Sequence, residues 1–174
     1  VCSSDLEILL FIGIIAFFIV LRLPAFHHPY HQDEYKWVFY SHPEISPEGS
    51  VPHPPLTEFI YARFLGPIFG DDNFRFIPLI FSFVNLFLIF YLAKIVFSGS
   101  QNWKEKIGIH KINFTPLWVV GLFAVSFYSV LASLMVDVDG AVMPFFFLLM
   151  MIGYYKLILS SECFVAELVN DTTA

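Results

Sequence analysis

Apolar residues along this chain fall into four long blocks separated by polar stretches. The blocks cover residues 8–21, 76–97, 117–136 and 141–159, and polar side chains interrupt them only at isolated positions. Because an α-helix needs about 20 apolar residues to cross the hydrocarbon core of a bilayer, the pattern predicts four transmembrane helices. The first block is short for a full crossing, and we expect flanking apolar residues to extend it.

The connections between these blocks differ in length. Only Asp137 to Gly140 separate the third block from the fourth, which predicts a tight helical hairpin. The stretch 22–75, in contrast, is too long for a simple connection. Within it, Leu56 to Phe69 places apolar side chains on one stripe of a helix, and Pro55 suits the first position of that helix. We therefore predict a short amphipathic helix in the membrane interface.

Composition supports residence in a membrane and excludes other classes of protein. The chain is 57% hydrophobic and 14% charged, with a mean hydropathy of +0.72, so too few polar residues exist to cover a soluble globule. The net charge is -6 and no run of Lys or Arg occurs, which excludes a nucleic-acid partner. Cys2 and Cys163 lie at opposite ends and predict neither a disulfide framework nor a thiolate metal site. The expected fold class is an all-α, polytopic transmembrane helical protein.

Both ends of the chain differ from its middle. Residues 1–6 (VCSSDL) resemble a translated adapter sequence, so we expect the native transmembrane module to cover residues 7–159. The polar tail 160–174 follows soon after the fourth block, which suggests a piece of a longer protein. A signal peptide is the alternative for the first block, but no basic segment precedes it and no small-residue cleavage site follows it.

The distribution of cations predicts the orientation of the helices. The loop between the second and third blocks carries Lys94, Lys104, Lys106 and Lys111 against the single acid Glu105, whereas 22–75 carries more acids than cations. Because cytoplasmic loops are enriched in Lys and Arg, we expect the lysine-rich loop and the N-terminus to be cytoplasmic. The loop 22–75 and the turn Asp137 to Gly140 would then share the extracytoplasmic face of the cell membrane.

Asp33 and Glu34 form an acidic pair shortly after the first block. A carboxylate shielded from bulk water at this depth has a raised pKa and can act as a general base towards an acceptor hydroxyl or amine. The alternative is a solvated acidic loop beside Lys36. Three histidines precede the pair (His27, His28 and His31), but their spacing matches no defined zinc pattern, so no metal and no cofactor is predicted.

A second pair of acids, Asp137 and Asp139, lies between the third and fourth blocks. Carboxylates at membrane depth are costly and tend to face a cavity or a pathway. The alternative is a structural role, in which Asp139 caps the N-terminus of the fourth helix and Gly140 eases the turn.

Together these elements resemble the protein O-mannosyltransferase family and the related bacterial aminoarabinose and polyprenyl-sugar transferases. The resemblance lies in the acidic pair Asp33-Glu34, the element His53-Pro54-Pro55-Leu56 that opens an amphipathic helix, Gly70 and Arg75 before the second span, and the later acids Asp137 and Asp139. It covers most of the native chain. Members of this group share the C-type membrane glycosyltransferase fold, so the resemblance implies the N-terminal part of that fold.

The resemblance also implies an activity. A sugar would pass from a polyprenyl-phosphate donor to a protein, lipid or glycan acceptor on the extracytoplasmic face, with inversion at the sugar carbon. Asp33 or Glu34 would be the catalytic base, with Asp33 favoured, and Asp139 fits the second acid better than Asp137. The segment His53 to Pro55 would shape the site, and Arg75 would bind the donor phosphate. Family members are longer, so we expect this piece alone to be inactive.

Two other classes of function remain open. A transporter or channel fragment would use Asp137 and Asp139 to line an ion or solute pathway, and its spans would be broken near their midpoints. The second and third blocks contain no midpoint Gly or Pro break of that kind. A non-catalytic assembly subunit is the other alternative, and its long outer loop would tolerate substitution.

Overall fold

A computed structural model of the chain describes residues 3–24, 29–31, 34, 59–98, 114–136 and 138–172. Regular structure in these residues is entirely helical, and none of them lies in a strand, as the apolar blocks predict. In chain order the helices are α1 (Ser3–Val20), α2 (Phe59–Phe69), α3 (Phe76–Ser98), α4 (Thr115–Val125), α5 (Phe127–Leu134) and α6 (Met143–Thr172).

Two helical segments in the described part of the chain are long and apolar enough to cross a membrane. They are Phe76–Phe97 and Gly140–Ile158, close to the predicted second and fourth spans. A third candidate exists if α4 and α5 form one bent span. Helix α1 contains most of the first predicted span, 8–21, but is not among these candidates. The all-helical class is confirmed, whereas the number of four spans is not.

The third predicted span is a broken helix. Helix α4 ends at Val125, α5 begins at Phe127, and the two are bent by 57°. Between them Ser126 has extended backbone angles (φ -61°, ψ 136°), and its Oγ accepts a hydrogen bond from the Ser129 backbone N–H at 3.2 Å. Serine is a strong helix N-cap because its side chain replaces a missing backbone partner. The prediction that this span lacks a midpoint break was therefore wrong.

Helix α3 is the centre of the helical packing, and α4, α5 and α6 all contact it. One apolar core lies near the start of α3 and joins it to α2 and to the end of the third span; it contains Ile60, Tyr61, Phe74, Ile77, Val136 and Val142. A second core lies between α1, α3 and α4 and contains Phe18, Leu86, Val120 and Ala124. Between helices in a membrane, close packing of such side chains and hydrogen bonds take the place of the hydrophobic effect.

Helix α2 lies within the predicted amphipathic segment 56–69, and its first part, Phe59–Leu65, is a π-helix. Ile60 is buried, but Phe59 and Phe64 are exposed and stack with ring centroids 6.0 Å apart. The predicted single stripe is therefore divided, because a π-helical turn rotates successive side chains differently from an α-helix. Residues 56–58 lie outside the described part of the chain.

A second π-helical turn, Val138–Val142, leads from the third span into α6. It packs closely on α5, since a Cβ added to Gly140 would lie 2.9 Å from the Ala132 Cβ and 3.0 Å from the Ala132 carbonyl oxygen. Turns of this type are frequent at functional sites. The sequence of this turn includes Asp139, one of the two acids predicted in this region.

Candidate functional site

Glu34 is the member of the predicted acidic pair that the structure describes, and its side chain is 2% exposed. Its Oε2 accepts hydrogen bonds from Arg75 Nη2 at 2.9 Å and from the His31 backbone N–H at 2.6 Å. Its Oε1 accepts from Arg75 Nε at 3.3 Å and from the Val136 backbone N–H at 3.0 Å. Both carboxylate oxygens are thus held by two donors each.

These donors determine the protonation state of Glu34. Burial alone raises the pKa of its carboxyl, but the hydrogen bonds from Arg75, His31 and Val136 and the charge of Arg75 outweigh that effect and lower the pKa below its ordinary value. Glu34 is therefore an anion at neutral pH. A carboxylate held in this way is a poor proton acceptor and a good structural anchor.

Arg75 supplies the positive half of this buried ion pair, immediately before α3. Its Nη2 also donates to the Pro29 carbonyl oxygen at 2.9 Å, and its guanidinium carbon lies 4.9 Å from the centroid of the Tyr30 ring. The Tyr30 hydroxyl in turn accepts from the Phe74 backbone N–H at 3.2 Å. These contacts fasten Pro29 and Tyr30, near the start of the loop 22–75, to the start of α3.

The bond between Glu34 and Val136 joins the two regions that carry the predicted acids, although 102 positions separate them. Asp33 is the chain neighbour of Glu34, and Asp137 is the chain neighbour of Val136. Asp33 and Asp137 themselves lie outside the described residues. For Asp139 the structure describes the backbone, in the π-helical turn Val138–Val142.

Several other residues of the predicted site, and part of the histidine cluster, lie where the structure gives no description. His53, Pro54 and Pro55 lie outside the described residues, and so do His27 and His28 of the histidine cluster. Among the residues that are described, no three His, Cys, Asp or Glu side chains are grouped as they would be around a metal ion. The proposed phosphate contact of Arg75 stays a prediction, and a phosphate would have to share the guanidinium with Glu34.

Sequence reasoning missed Arg22, which is 0% exposed and lies at the break in the third span. Its Nε donates to Ser133 Oγ at 2.7 Å and its Nη2 to Ser129 Oγ at 3.1 Å, both on α5. Its Nη1 donates to the Ala124 carbonyl oxygen of α4 at 3.2 Å and to the Phe18 carbonyl oxygen at 2.9 Å. One side chain thus connects α1 to both halves of the broken helix.

Arg22 also stabilises the break chemically. A break in a helix leaves backbone carbonyls without their N–H partners, and in an apolar setting each such group is costly. Arg22 supplies a donor to Ala124, near the end of α4, and the Phe18 ring lies 3.5 Å from its guanidinium carbon. None of the described carboxylates pairs with it. The signal in the sequence was an arginine directly after an apolar block, together with three serines in the third block.

Asn85 is a second polar residue whose role depends on the tertiary structure. It lies in the middle of α3, is 1% exposed, and its Nδ2 donates to the Ala141 carbonyl oxygen at 2.8 Å. Its Oδ1 is buried and has no hydrogen-bond partner among the atoms that the structure describes. Asn85 therefore fastens the π-helical turn to α3, which fixes the backbone that carries Asp139.

The described residues thus place two buried polar connections around α5, one through Arg22 and one through Glu34. The first lies at the break before this helix and the second at Val136 just after it. In comparisons with known proteins, no protein-family profile, no curated protein and no solved structure matches the chain.

Proposed function

We propose that the chain is part of a membrane glycosyltransferase that moves a sugar from a polyprenyl-phosphate donor to a protein, lipid or glycan acceptor on the extracytoplasmic face. The observation that supports this most is the hydrogen bond between Glu34 and Val136. It joins the loop that carries Asp33 to the backbone that leads into Asp137 and Asp139. Asp33 and Asp137, which are far apart in sequence, are thus each the chain neighbour of a residue in this one hydrogen bond.

In this proposal Asp33 and Glu34 have different roles. Glu34 is buried and its oxygens are occupied by Arg75, His31 and Val136, so it positions the loop. Asp33 is the base: it takes the proton of the acceptor hydroxyl, whose oxygen then bonds to the sugar carbon. The bond from that carbon to the phosphate oxygen breaks, and the lipid phosphate leaves with the electron pair. Asp139 and Asp137 contact the substrates from the side opposite Asp33.

The remaining predicted residues complete the proposed site. His53, Pro54 and Pro55 shape the surface near the membrane, and Arg75 holds Glu34 while presenting its positive charge to the donor phosphate. A groove inside the membrane can hold the polyprenyl tail while the polar groups react at the water boundary. No metal or other cofactor is part of the proposal.

The test uses the full-length open reading frame expressed in membranes, with polyprenyl-phosphate-mannose and polyprenyl-phosphate-aminoarabinose as donors. Asp33→Asn is expected to abolish sugar transfer, because the amide cannot accept the proton. The control Glu105→Gln removes an acid from the loop predicted to be cytoplasmic and should leave transfer unchanged. Equal amounts of each variant in the membrane fraction exclude a loss of insertion. Full activity of Asp33→Asn would remove Asp33 from the mechanism.

A transporter or channel fragment is the second candidate, and the broken third span favours it. Half-helices that meet at a break near the membrane midplane are typical of transporter substrate sites, and α4 and α5 meet at 57°. In this reading Asp137 and Asp139 line the pathway. Flux of ions or labelled solutes into proteoliposomes, in the absence of any sugar transfer, would support transport and contradict the transferase.

A further inference from the structure

A groove of about 820 Å³ lies between the end of α1 and the first half of α3. Phenyl rings of the two helices meet beside it: Phe18 and Phe83, which both line the groove, have ring centroids 6.1 Å apart. Small-molecule sites typically enclose about 300–1,000 Å³. The groove is therefore large enough for a ligand of substantial size.

The groove changes from polar to apolar along its length. Asp72 and Asn73, both exposed, line it just before the candidate span Phe76–Phe97 begins. Beyond them the lining consists of apolar side chains of the span and of α1, among them Ile19 and Ile80, which are 44% and 43% exposed. A polar end at the membrane boundary and an apolar length within the span match the amphipathic structure of a membrane lipid.

The groove has a negative charge, Asp72, at one end and a positive charge, Arg22, further along its length. The guanidinium of Arg22 contacts the Phe18 ring, which lies beside Phe83. Phe83 is seven positions after Phe76, about 10 Å along the helix. The positive charge therefore lies further along the candidate span than Asp72, which precedes it. Arg22 is covered, so its charge acts on the groove through the electric field, which is weakly screened in an apolar setting.

An anion at the boundary and a cation beneath it complement a zwitterionic headgroup, whose amine lies outside its phosphate. They oppose a lipid with net negative charge, which Asp72 would repel. Asn73 uses its Nδ2 to donate to the Phe69 carbonyl oxygen at 3.2 Å, so the amide oxygen takes no part in that bond and can accept from an ammonium N–H. These two acceptors favour a primary amine over a quaternary one.

We propose that this groove is a binding site for one phospholipid with a primary-amine headgroup, of the phosphatidylethanolamine type. Its ammonium contacts Asp72 and Asn73, its phosphate lies towards Arg22, and one acyl chain lies between α1 and α3. The site does not depend on the proposed transferase activity. Because Arg22 is hydrogen-bonded to α4 and α5, a lipid bound in the groove would interact electrostatically with the residue that holds the two halves of the broken helix.

The test is native mass spectrometry of the full chain in mild detergent with equimolar phosphatidylethanolamine, phosphatidylcholine, phosphatidylglycerol and polyprenyl phosphate. One phosphatidylethanolamine is expected to remain bound per chain. Ile80→Trp fills the groove and should abolish that binding. The matched control Leu122→Trp places the same ring on an exposed position of α4 outside the groove, where Leu122 is 65% exposed, and should retain it. Circular dichroism checks that both variants are folded.

Asp72→Asn provides a second variant that does not alter packing. The preference for phosphatidylethanolamine over phosphatidylglycerol should fall roughly fivefold, as for the loss of one partly solvated ion pair. Equal retention of phosphatidylcholine, a preference for phosphatidylglycerol or polyprenyl phosphate, or unchanged binding in Ile80→Trp would each overturn the proposal. Because no sugar transfer is measured, a failure here is separate from a failure of the proposed activity.

Discussion

Glu34 and Arg75 form a buried ion pair across 41 positions of the chain, with 2.9 Å between Glu34 Oε2 and Arg75 Nη2. Their side chains are 2% and 9% exposed, so water contributes little to solvating either charge. The pair survives burial because the Pro29 carbonyl and the backbone N–H groups of His31 and Val136 complete its hydrogen bonds. Through these contacts the described residues Pro29 to Glu34, the start of α3 and Val136 after α5 are held together.

Removal of one partner of this pair should be strongly destabilising. Glu34→Leu leaves Arg75 buried without its counter-charge, and we expect the free energy of unfolding to fall by about 3–5 kcal/mol. The double variant Glu34→Leu/Arg75→Leu should lose less than the sum of the two single variants, because it leaves no uncompensated charge. Unfolding equilibria in mixed detergent micelles measure both quantities. Additive losses would show that the two side chains act independently.

The same pair predicts a dependence of stability on pH. The pKa of Glu34 is lower in the folded protein than its ordinary value of 4.5, so the carboxylate contributes stability above that pH. This contribution should be lost as the pH falls below 4.5 and through the lowered pKa of the folded state. Unfolding midpoints between neutral and acidic pH should fall more steeply for the wild type than for Glu34→Gln. Parallel curves would contradict the assignment.

The contacts of Arg22 predict coupling between α1 and the broken span. Ser133→Ala removes the acceptor of the Arg22 Nε–H group and should lower the free energy of unfolding by about 1–3 kcal/mol, the cost of an unsatisfied buried donor. In an Arg22→Met background the same serine substitution should cost much less. A double-mutant cycle in detergent measures this coupling. An equal cost in both backgrounds would exclude the hydrogen bond as the cause.

Close packing of the π-helical turn predicts a specific effect of glycine substitution. Gly140→Ala places a Cβ 2.9 Å from the Ala132 Cβ and should destabilise the fold by about 1–3 kcal/mol, because backbone atoms of α5 cannot move aside freely. Gly153→Ala is the matched control in α6, where an added Cβ meets nothing within 4 Å. The control should be neutral or slightly stabilising. Thermal unfolding of the two variants side by side gives the comparison.

Membrane orientation gives a prediction that is independent of stability. In a background with Cys2 and Cys163 replaced by serine, a cysteine near Asn102 should be shielded from impermeant thiol reagents in intact cells. A cysteine near Ser50 should be labelled. This expectation rests on the prediction, from its excess of lysine, that the loop between the second and third blocks is cytoplasmic. The reverse pattern would place the acidic groups on the cytoplasmic side and contradict an extracytoplasmic site.

Much of the helical framework could be predicted from the sequence because it depends on local composition. The apolar block 76–97 predicted a span, and the structure has a helix at Phe76–Phe97 that is long and apolar enough to cross a membrane, since this suitability depends only on the segment's own length and composition. The fourth span was predicted within one residue at each end. The break at Ser126 was not predicted, because a serine within an apolar block is compatible with either a continuous helix or a cap.

Composition and apolar spacing alone thus determined that the chain is helical and suited to a membrane. The acidic pair after the first block pointed to Glu34, and Arg75 was singled out only by the resemblance to a transferase family. Only the tertiary structure decided that these two pair with each other, that Glu34 contacts Val136, and that Arg22 lies at the break beside Ser129 and Ser133. The physical reason is distance along the chain: a buried charge is stable only where distant segments bring it partners, and those partners lie up to 111 positions away.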